Sequence, residues 1–235
     1  MALTPQDDRE ANVGRARNPR LKSLAAMHVL NIQSSPRRST SASIALADAF
    51  IDAFRRGNPS IELDTLNVWD EQLPEFDHEA IGAKYKGVAG LPMDEAEAAL
   101  WESIQSLAAR FQRADRIVIG VPMWNFSFPY KLKQLIDLAS QRNLLFTFDG
   151  KSFGPALHTP RAMVIYTRGQ AYAEDGPLPP SQHDHQTPFI EFWLRFIGVQ
   201  DVRSLTLEDT WSAPEQRAQA LAKGMCRAAE LAKDF

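Results

Sequence analysis

Apolar and polar residues follow one another along the chain in two repeating patterns. Short apolar runs predict buried strands, and longer runs with an apolar residue at every third or fourth position predict amphipathic helices. The predicted strands cover residues 28–33, 61–67, 115–121, 161–167 and 202–207. The predicted helices cover residues 41–54, 94–111, 130–139, 188–197 and 214–233. Residues 144–148 predict a further small strand or hairpin arm, and an irregular stretch is expected between the second strand and the second helix.

Strands and helices that alternate in this order predict an α/β fold. Five parallel strands with interleaved helices form a doubly wound sheet whose crossovers are right-handed. The loops that follow the strands then meet at one edge of the sheet, where doubly wound proteins bind their ligands. We therefore expect the binding residues in the loops after the strands.

The pattern also sets the expected domain boundaries. Residues 1–26 are polar, mixed in charge and without apolar periodicity, which predicts a disordered N-terminal extension. No Pro/Gly/Ser-rich linker divides the remainder, so residues 27–235 are expected to form one domain. Met27 stands immediately before the first predicted strand and is a candidate translation start.

Composition narrows the classes of partner. The chain has 235 residues, 44% hydrophobic and 23% charged, with a net charge of -3. Its interspersed charges form no broad basic face, so neither nucleic acid nor a membrane surface is expected as a partner. No stretch approaches the roughly 20 apolar residues that cross a bilayer. The single cysteine, Cys226, cannot form an intrachain disulfide, which favours a reducing compartment, and we expect a cytoplasmic protein.

Several fingerprints of other enzyme classes are missing from the sequence. The glycines form no G-x-G pair, so the dinucleotide fingerprint of a Rossmann dehydrogenase cannot be placed. Gly82 and Gly87 have the outer spacing of a P-loop, but Val88 follows where a phosphate-binding lysine is needed. There is no G-x-S-x-G elbow to indicate an α/β-hydrolase.

The loop after the first predicted strand is rich in hydroxyl groups and opens directly into a helix. It covers Ser34–Ser41 and has the sequence SSPRRSTS. Hydroxyls and free N–H groups at a helix N-terminus suit the terminal phosphate of a ligand, because the positive end of the helix dipole also favours an anion. The alternative is that Ser39 or Ser41 only caps the helix.

Two further candidate loops follow the third and fourth strands. Pro122–Phe126 (PMWNF) mixes aromatic side chains with an amide, which predicts a loop that flanks a flat ring. An ordinary turn with aromatics packed on the core has the same composition. Thr167–Gln170 (TRGQ) ends the fourth strand, where Gly169 permits close backbone approach and N–H groups can donate to an electron-rich ring.

At these residues the chain resembles the FMN-dependent NADH-azoreductase and quinone reductase family, within the flavodoxin-like group, over nearly everything from Met27 onward. The most specific match is Pro122–Phe126, where the family usually shows Met-Tyr-Asn-Phe. Further matches are Leu132-Lys133, Asp137-Leu138, Thr167-Arg168-Gly169, Asp175-Gly176-Pro177 and Phe196-Ile197-Gly198. The resemblance implies a flavodoxin-like five-stranded parallel sheet of order 2-1-3-4-5, with helices on both faces.

The resemblance also assigns roles to residues. Those implied to hold the FMN phosphate are Ser35, Ser39, Thr40 and Ser41. Those implied to contact the isoalloxazine ring are Met123, Trp124, Asn125, Phe126, Thr167, Arg168 and Gly169. Phe148 and Phe196 match positions that line the substrate side of the flavin, and homodimers with sites at the subunit interface are typical of the family.

The activity implied by the resemblance is two-electron transfer from NADH or NADPH to a quinone, or to an azo compound, by a ping-pong mechanism on the flavin. No side chain is expected to be catalytic in its own right. The sequence leaves the choice between NADH and NADPH open, because no ribose-binding signature is present outside a Rossmann unit.

This chain departs from the family pattern at the proposed site. Arg37 and Arg38 bring cations into a shortened phosphate loop, where they either reinforce phosphate binding or face solvent. Gln170 replaces a common glycine, Phe148 lacks a tyrosine hydroxyl, and Trp124 enlarges a ring position. These changes put the acceptor preference in doubt and leave the cofactor prediction unchanged.

Other functions remain as alternatives. They are an NAD(P)H:FMN reductase that releases reduced flavin, a flavodoxin-type electron carrier, and a flavin-free regulatory module of the same fold. The near-neutral charge disfavours the carrier, because such proteins usually present strongly acidic docking faces. No metal site is assigned, since the tract His183–His185 lacks a third ligand nearby in sequence, and Cys226 has no histidine near it to make it a nucleophile.

Overall fold

The computed structural model describes residues 26–159 and 161–235. The prediction of a disordered N-terminal extension falls on residues 1–26, and residues 1–25 lie outside the described residues. Within the two described ranges, no helix is both long enough and apolar enough to cross a membrane.

The strands and helices alternate along the chain as the sequence predicts. The strands are β1 (His28–Gln33), β2 (Glu62–Asn67), β3 (Arg116–Pro122), β4 (Phe146–Phe148), β5 (Phe153–Pro155), β6 (Arg161–Thr167) and β7 (Asp201–Leu207). The α-helices are α1 (Ala42–Gly57), α2 (His78–Ala89), α3 (Glu95–Arg113), α4 (Tyr130–Ala139), α5 (Pro180–His183), α6 (Thr187–Ile197) and α7 (Pro214–Leu231). Short 3-10 turns cover Arg38–Thr40 and Ala232–Asp234.

The five long strands form one parallel sheet in the order β2-β1-β3-β6-β7. With the short pair β4 and β5 left out of the count, this is the predicted order 2-1-3-4-5, and the predicted fold class is confirmed. Ile32 of β1 pairs with Leu66 of β2 on one side and with Ile119 of β3 on the other. β4 and β5 form a separate antiparallel hairpin between β3 and β6 in the chain.

Buried apolar side chains cover both faces of the sheet, because successive strand residues point to opposite sides. Leu30 belongs to a cluster that includes side chains of α3, α4 and α6. Its neighbour Val29 belongs to the other cluster, formed with α1 and the C-terminal part of α7. The continuous apolar runs of the central strands follow from this burial on two sides.

The stretch between β2 and α3 is the main error of the sequence-based prediction. It contains the helix α2, which Asp77 caps by accepting hydrogen bonds from Glu79 N and Ala80 N. Only Ala80 and Ala83 of this helix are buried, so its apolar face is too small to produce a clear helical period. The short elements β5 and α5 were also absent from the prediction.

Candidate functional site

Two adjoining cavities lie at the carboxyl edge of the sheet. The larger, which we call the inner cleft, has a volume of about 570 Å³ and is lined by the loops after β1, β3, β6 and β7 and by the start of α7. The smaller, the outer cavity, has a volume of about 380 Å³ and lies against the loops after β3 and β6. Residues shared by the two are Met123, Trp124, Gly169 and Trp211.

All four hydroxyl residues predicted to bind phosphate line the inner cleft: Ser35, Ser39, Thr40 and Ser41. The Ser41 hydroxyl caps α1, since it accepts a hydrogen bond from Ile44 N at 3.4 Å. Ser35 Oγ accepts one from Arg37 N at 3.3 Å, and Thr40 Oγ1 donates to Arg37 O at 2.8 Å. Ser41 therefore caps α1 and also borders the cleft, so the cap does not take the hydroxyl away from the predicted phosphate site.

Two arginines bring positive charge to the lining of the inner cleft. Arg37 lines it from the loop after β1, and Arg217 lines it from the first turns of α7. Within the described parts of the chain, neither guanidinium forms an ion pair. Arg38 is different, because its Nη2 lies 2.6 Å from Asp70 Oδ1. Of the two arginines in the loop after β1, Arg37 therefore borders the cleft and Arg38 is held by the Asp70 carboxylate.

A tight turn follows β3 and carries the predicted ring-binding residues. Trp124 and Ser127 exchange two backbone hydrogen bonds of 2.9 Å, and the two residues between them have positive φ angles. Asn125 has φ 47° and Phe126 has φ 69°, a left-handed backbone that is uncommon for non-glycine residues. Within the described chain neither of their N–H groups donates a hydrogen bond. Both residues line the outer cavity.

The last residue of β6 and the loop after it lie in two different surroundings. Thr167 and Gly169 line the inner cleft. Arg168, between them, has a buried guanidinium that donates from Nη2 to Asp184 Oδ2 at 2.5 Å and to Thr187 Oγ1 at 2.7 Å. Alternate residues of an extended chain point in opposite directions, which accounts for the division. The prediction that Arg168 contacts a ring stays a prediction, and the structure gives its side chain a different set of partners.

The loop after β7 completes the wall of both cavities, and sequence reasoning missed it. Thr210 donates to Arg168 O from its backbone N at 3.0 Å and from Oγ1 at 2.9 Å. Trp211 N donates to Gly169 O at 3.1 Å, and its indole lies against the Gly169 α-carbon. The available signal was a tryptophan in the loop after the fifth strand, at the edge where the other loops converge.

Phe148 and Phe196 lie away from both cavities, in an aromatic cluster on the β4-β5 hairpin and α6. The Phe148 and Phe153 ring centroids are 4.7 Å apart, and those of Phe153 and Phe196 are 5.9 Å apart. Phe153 and Phe192 are 64% and 62% exposed. Within one chain, the structure therefore does not bring the predicted substrate residues to the predicted flavin residues.

The histidine tract packs beside the turn after β3. His185 N donates to Phe126 O at 3.0 Å, and the His183 ring lies 5.4 Å from the Phe126 ring. Among the residues that the structure describes, no group of three or more His, Cys, Asp or Glu side chains is placed to hold a metal ion.

The fold and the cleft together define a class of protein. Residues 27–232 match the model of a family described as having a flavodoxin-like fold, and the chain belongs to this flavodoxin-like family.

Two relatives of this chain are both named FMN-dependent NADH:quinone oxidoreductases. The FMN-dependent NADH:quinone oxidoreductase 2 of Burkholderia lata is 59% identical over 209 residues, covering 89% of this chain and 100% of the relative. The FMN-dependent NADH:quinone oxidoreductase 3 of Pseudomonas fluorescens is 40% identical over 206 residues, covering 83% and 95%. These matches confirm the family resemblance seen in the sequence.

Solved structures agree on the fold. An azoreductase from Bacillus anthracis str. Sterne has a TM-score of 0.80 at 21% identity, covering 89% of this chain and 100% of that chain. An FMN-dependent NADH-azoreductase from Bacillus anthracis str. Ames Ancestor, solved in complex with FMN, has a TM-score of 0.76 at 21% identity, covering 88% and 99%. At this identity the likeness is one of fold.

Proposed function

We propose that this chain is an FMN-dependent oxidoreductase that passes two electrons from NADH to a quinone, with azo compounds as further acceptors. The observation that carries the proposal is the composition of the inner cleft, whose lining combines hydroxyl groups and arginines with the aromatic side chain of Trp124 and the bare backbone of Gly169. The names of the relatives support NADH as the donor and a quinone as the acceptor.

The residues of the cleft fit FMN in size and in chemistry. Its volume of about 570 Å³ falls in the range of roughly 300–1,000 Å³ typical of cofactor sites. Hydroxyl donors at the start of α1, together with Arg37 and Arg217, suit a phosphate dianion. Met123, Trp124 and Gly169 also line the cleft, and the aromatic face of Trp124 and the bare backbone of Gly169 suit a planar ring.

The phosphate would be held by Ser35, Ser39, Thr40 and Ser41, with Arg37 and Arg217 neutralising its charge. The ring would lie against Met123, Trp124, Thr167 and Gly169. The N–H groups of Asn125 and Phe126 would stabilise negative charge at the edge of the ring, because the turn already holds them in place. Arg168 acts at a distance, because its ion pair fixes the loop that carries Thr167 and Gly169.

When bound, FMN supplies the two-electron chemistry that no side chain provides. The protein's part is to orient the reactants and to exclude water from the ring. The outer cavity suits the nicotinamide and the acceptor in turn, since Phe126, Tyr172 and Leu178 give it apolar walls and Gln170 gives it an amide. Ping-pong kinetics follow if both reactants use this one space.

We further propose that the chain forms a homodimer through the aromatic cluster of the hairpin and α6. Large apolar side chains that are exposed side by side usually mark an interaction surface, and Phe153 and Phe192 are both of this kind. A second copy that covers them would bring Phe148 and Phe196 to a subunit interface. Sedimentation of the wild type should give a dimer, and Phe192→Glu should shift it to the monomer.

The proposed compartment is the cytoplasm. Cys226 is a free, exposed thiol, which persists most readily in a reducing environment.

The test is aerobic purification with FMN, followed by initial rates over a grid of NADH and benzoquinone concentrations. Parallel double-reciprocal lines and flavin that stays bound through gel filtration are expected. Flavin lost on the column, with turnover that depends on added FMN, would favour an FMN reductase instead. Retained flavin without quinone turnover would favour an electron carrier, and a protein that never takes up FMN would favour a regulatory module.

A further inference from the structure

Trp211 is an unusual residue because its large aromatic side chain is exposed and yet firmly placed. It is 77% exposed, more than any other large hydrophobic side chain in the described parts of the chain. It lines the inner cleft and the outer cavity, so its indole stands at the boundary between them. An apolar surface of this size gains free energy when a planar ligand covers it.

Hydrogen bonds fix the backbone that carries Trp211. Trp211 N donates to Gly169 O at 3.1 Å, and Ser212 N donates to Asp209 O at 3.0 Å. Thr210 makes two hydrogen bonds to Arg168 O, of 3.0 Å and 2.9 Å. These contacts tie the loop after β7 to the loop after β6, which the buried Arg168 side chain also holds. The indole is therefore presented by a rigid support.

The contact with Gly169 shows how closely the indole approaches the predicted ring site. A Cβ atom built on Gly169 would lie 2.5 Å from both Cδ2 and Cε2 of Trp211, a distance that real Cβ atoms do not show. The glycine is thus required for room and not for an unusual φ angle. Because Gly169 also lines the cleft beside Met123 and Trp124, the indole borders the same space from another side.

We propose that Trp211 is a positioning residue of the flavin site, which holds the FMN ring by aromatic contact. This inference rests on the proposed function, since it assumes that the ring lies at Met123, Trp124 and Gly169. Neither the motifs nor the resemblance pointed to this residue. When alanine substitution removes an aromatic contact with a planar base or ring, the affinity falls roughly 5- to 150-fold.

The experiment measures the dissociation constant of FMN for the wild type and for Trp211→Ala, Trp211→Phe and Trp211→Leu. Alanine and leucine should weaken FMN binding by about 10-fold or more, and phenylalanine should restore most of the affinity. Tyr85→Ala is the matched control, because Tyr85 is an exposed aromatic that lines neither cavity. Thermal unfolding of each variant without FMN should stay close to the wild type.

A second arm uses the Gly169 contact. Gly169→Ala should displace the indole and weaken FMN binding in the wild-type background, and should cost less in the Trp211→Ala background. Equal losses in both backgrounds, or a Trp211→Ala protein that binds FMN as tightly as the wild type, would overturn the inference. A wild-type chain that binds no FMN would overturn the proposed function and this inference together. A wild type that binds FMN, with a Trp211→Ala variant that binds it equally tightly, would overturn only this inference.

Discussion

Arg168 and Asp184 form a buried ion pair that joins the loop after β6 to the start of α6. Arg168 Nη2 lies 2.5 Å from Asp184 Oδ2, and the two side chains are only 7% and 10% exposed. The other carboxylate oxygen, Oδ1, accepts hydrogen bonds from Gln186 N at 3.0 Å and Thr187 N at 2.9 Å. One pair of residues therefore positions a loop of the proposed site and the first turn of a core helix.

Arg168→Ala should destabilise the protein strongly, because it leaves the Asp184 carboxylate buried without its cation. Removal of one partner of a buried pair costs about 3–5 kcal/mol in the free energy of unfolding. Urea denaturation measures the loss. Arg195→Ala is the control, since Arg195 forms an exposed pair with Glu191 and should change stability by less than about 1 kcal/mol. Similar losses in both variants would contradict this account.

Tyr166→Phe should stabilise the protein. The Tyr166 hydroxyl is buried and has no hydrogen-bond partner among the described residues, and burial raises the pKa of this phenol well above its usual value. An unpaired buried hydroxyl costs on the order of 1 kcal/mol or more, which the substitution recovers. Urea unfolding should show a higher midpoint with the same slope. A lower midpoint would mean that the hydroxyl does find a partner, such as a buried water.

Asn125 should tolerate glycine and reject valine. Its φ of 47° is open to glycine and asparagine, whereas a β-branched residue in the left-handed region is strained by roughly 1–2 kcal/mol. Asn125→Val is therefore expected to lower the unfolding midpoint and to weaken FMN binding, while Asn125→Gly keeps the turn after β3. Fluorescence titration with FMN and thermal unfolding of both variants test this. Equal behaviour of the two would refute a role for the turn geometry.

Arg217 and Arg37 should distinguish FMN from riboflavin. If their guanidinium groups neutralise the phosphate, alanine at either position weakens FMN binding by about 10-fold, the scale of a charged hydrogen bond. Riboflavin has no phosphate, so its affinity should not change. Arg38→Ala serves as the comparison, because Asp70 already holds that side chain. Loss of riboflavin affinity in Arg217→Ala would point to a structural defect.

The turn of the β4-β5 hairpin should be less stabilised in acid. Hydrogen bonds from Ser152 N and Lys151 N, of 2.7 Å and 2.8 Å, lower the pKa of the Asp149 carboxyl below its usual value. Their stabilising effect is complete above the unfolded pKa of about 3.9 and is lost as the pH falls through the lower folded value. Amide-exchange protection factors at Phe148 and Phe153, each taken relative to an unstructured peptide at the same pH, should report it between pH 6 and pH 2. In Asp149→Asn, which does not titrate, this pH dependence should vanish.

Much of the fold could be predicted because burial on both faces of a parallel sheet leaves continuous apolar runs in the sequence. The bounds of β1, α4 and β6 agree with the prediction residue by residue. α2 could not be found in this way, since it buries little more than Ala80 and Ala83. Its signal was local instead, in the capping residue Asp77.

The amino-acid sequence by itself determined the order of strands and helices, the flavodoxin-like family and the three loops that carry the predicted flavin residues. Only the tertiary structure decided that the Arg168 side chain forms a buried ion pair. It also decided that Trp211, from the loop after β7, and Arg217, from α7, line the inner cleft. It also separated Phe148 and Phe196 from the cleft of their own chain. The physical reason is that spacing along a chain fixes which side of an element a residue occupies. Which distant elements meet there depends on how the whole sheet is wound.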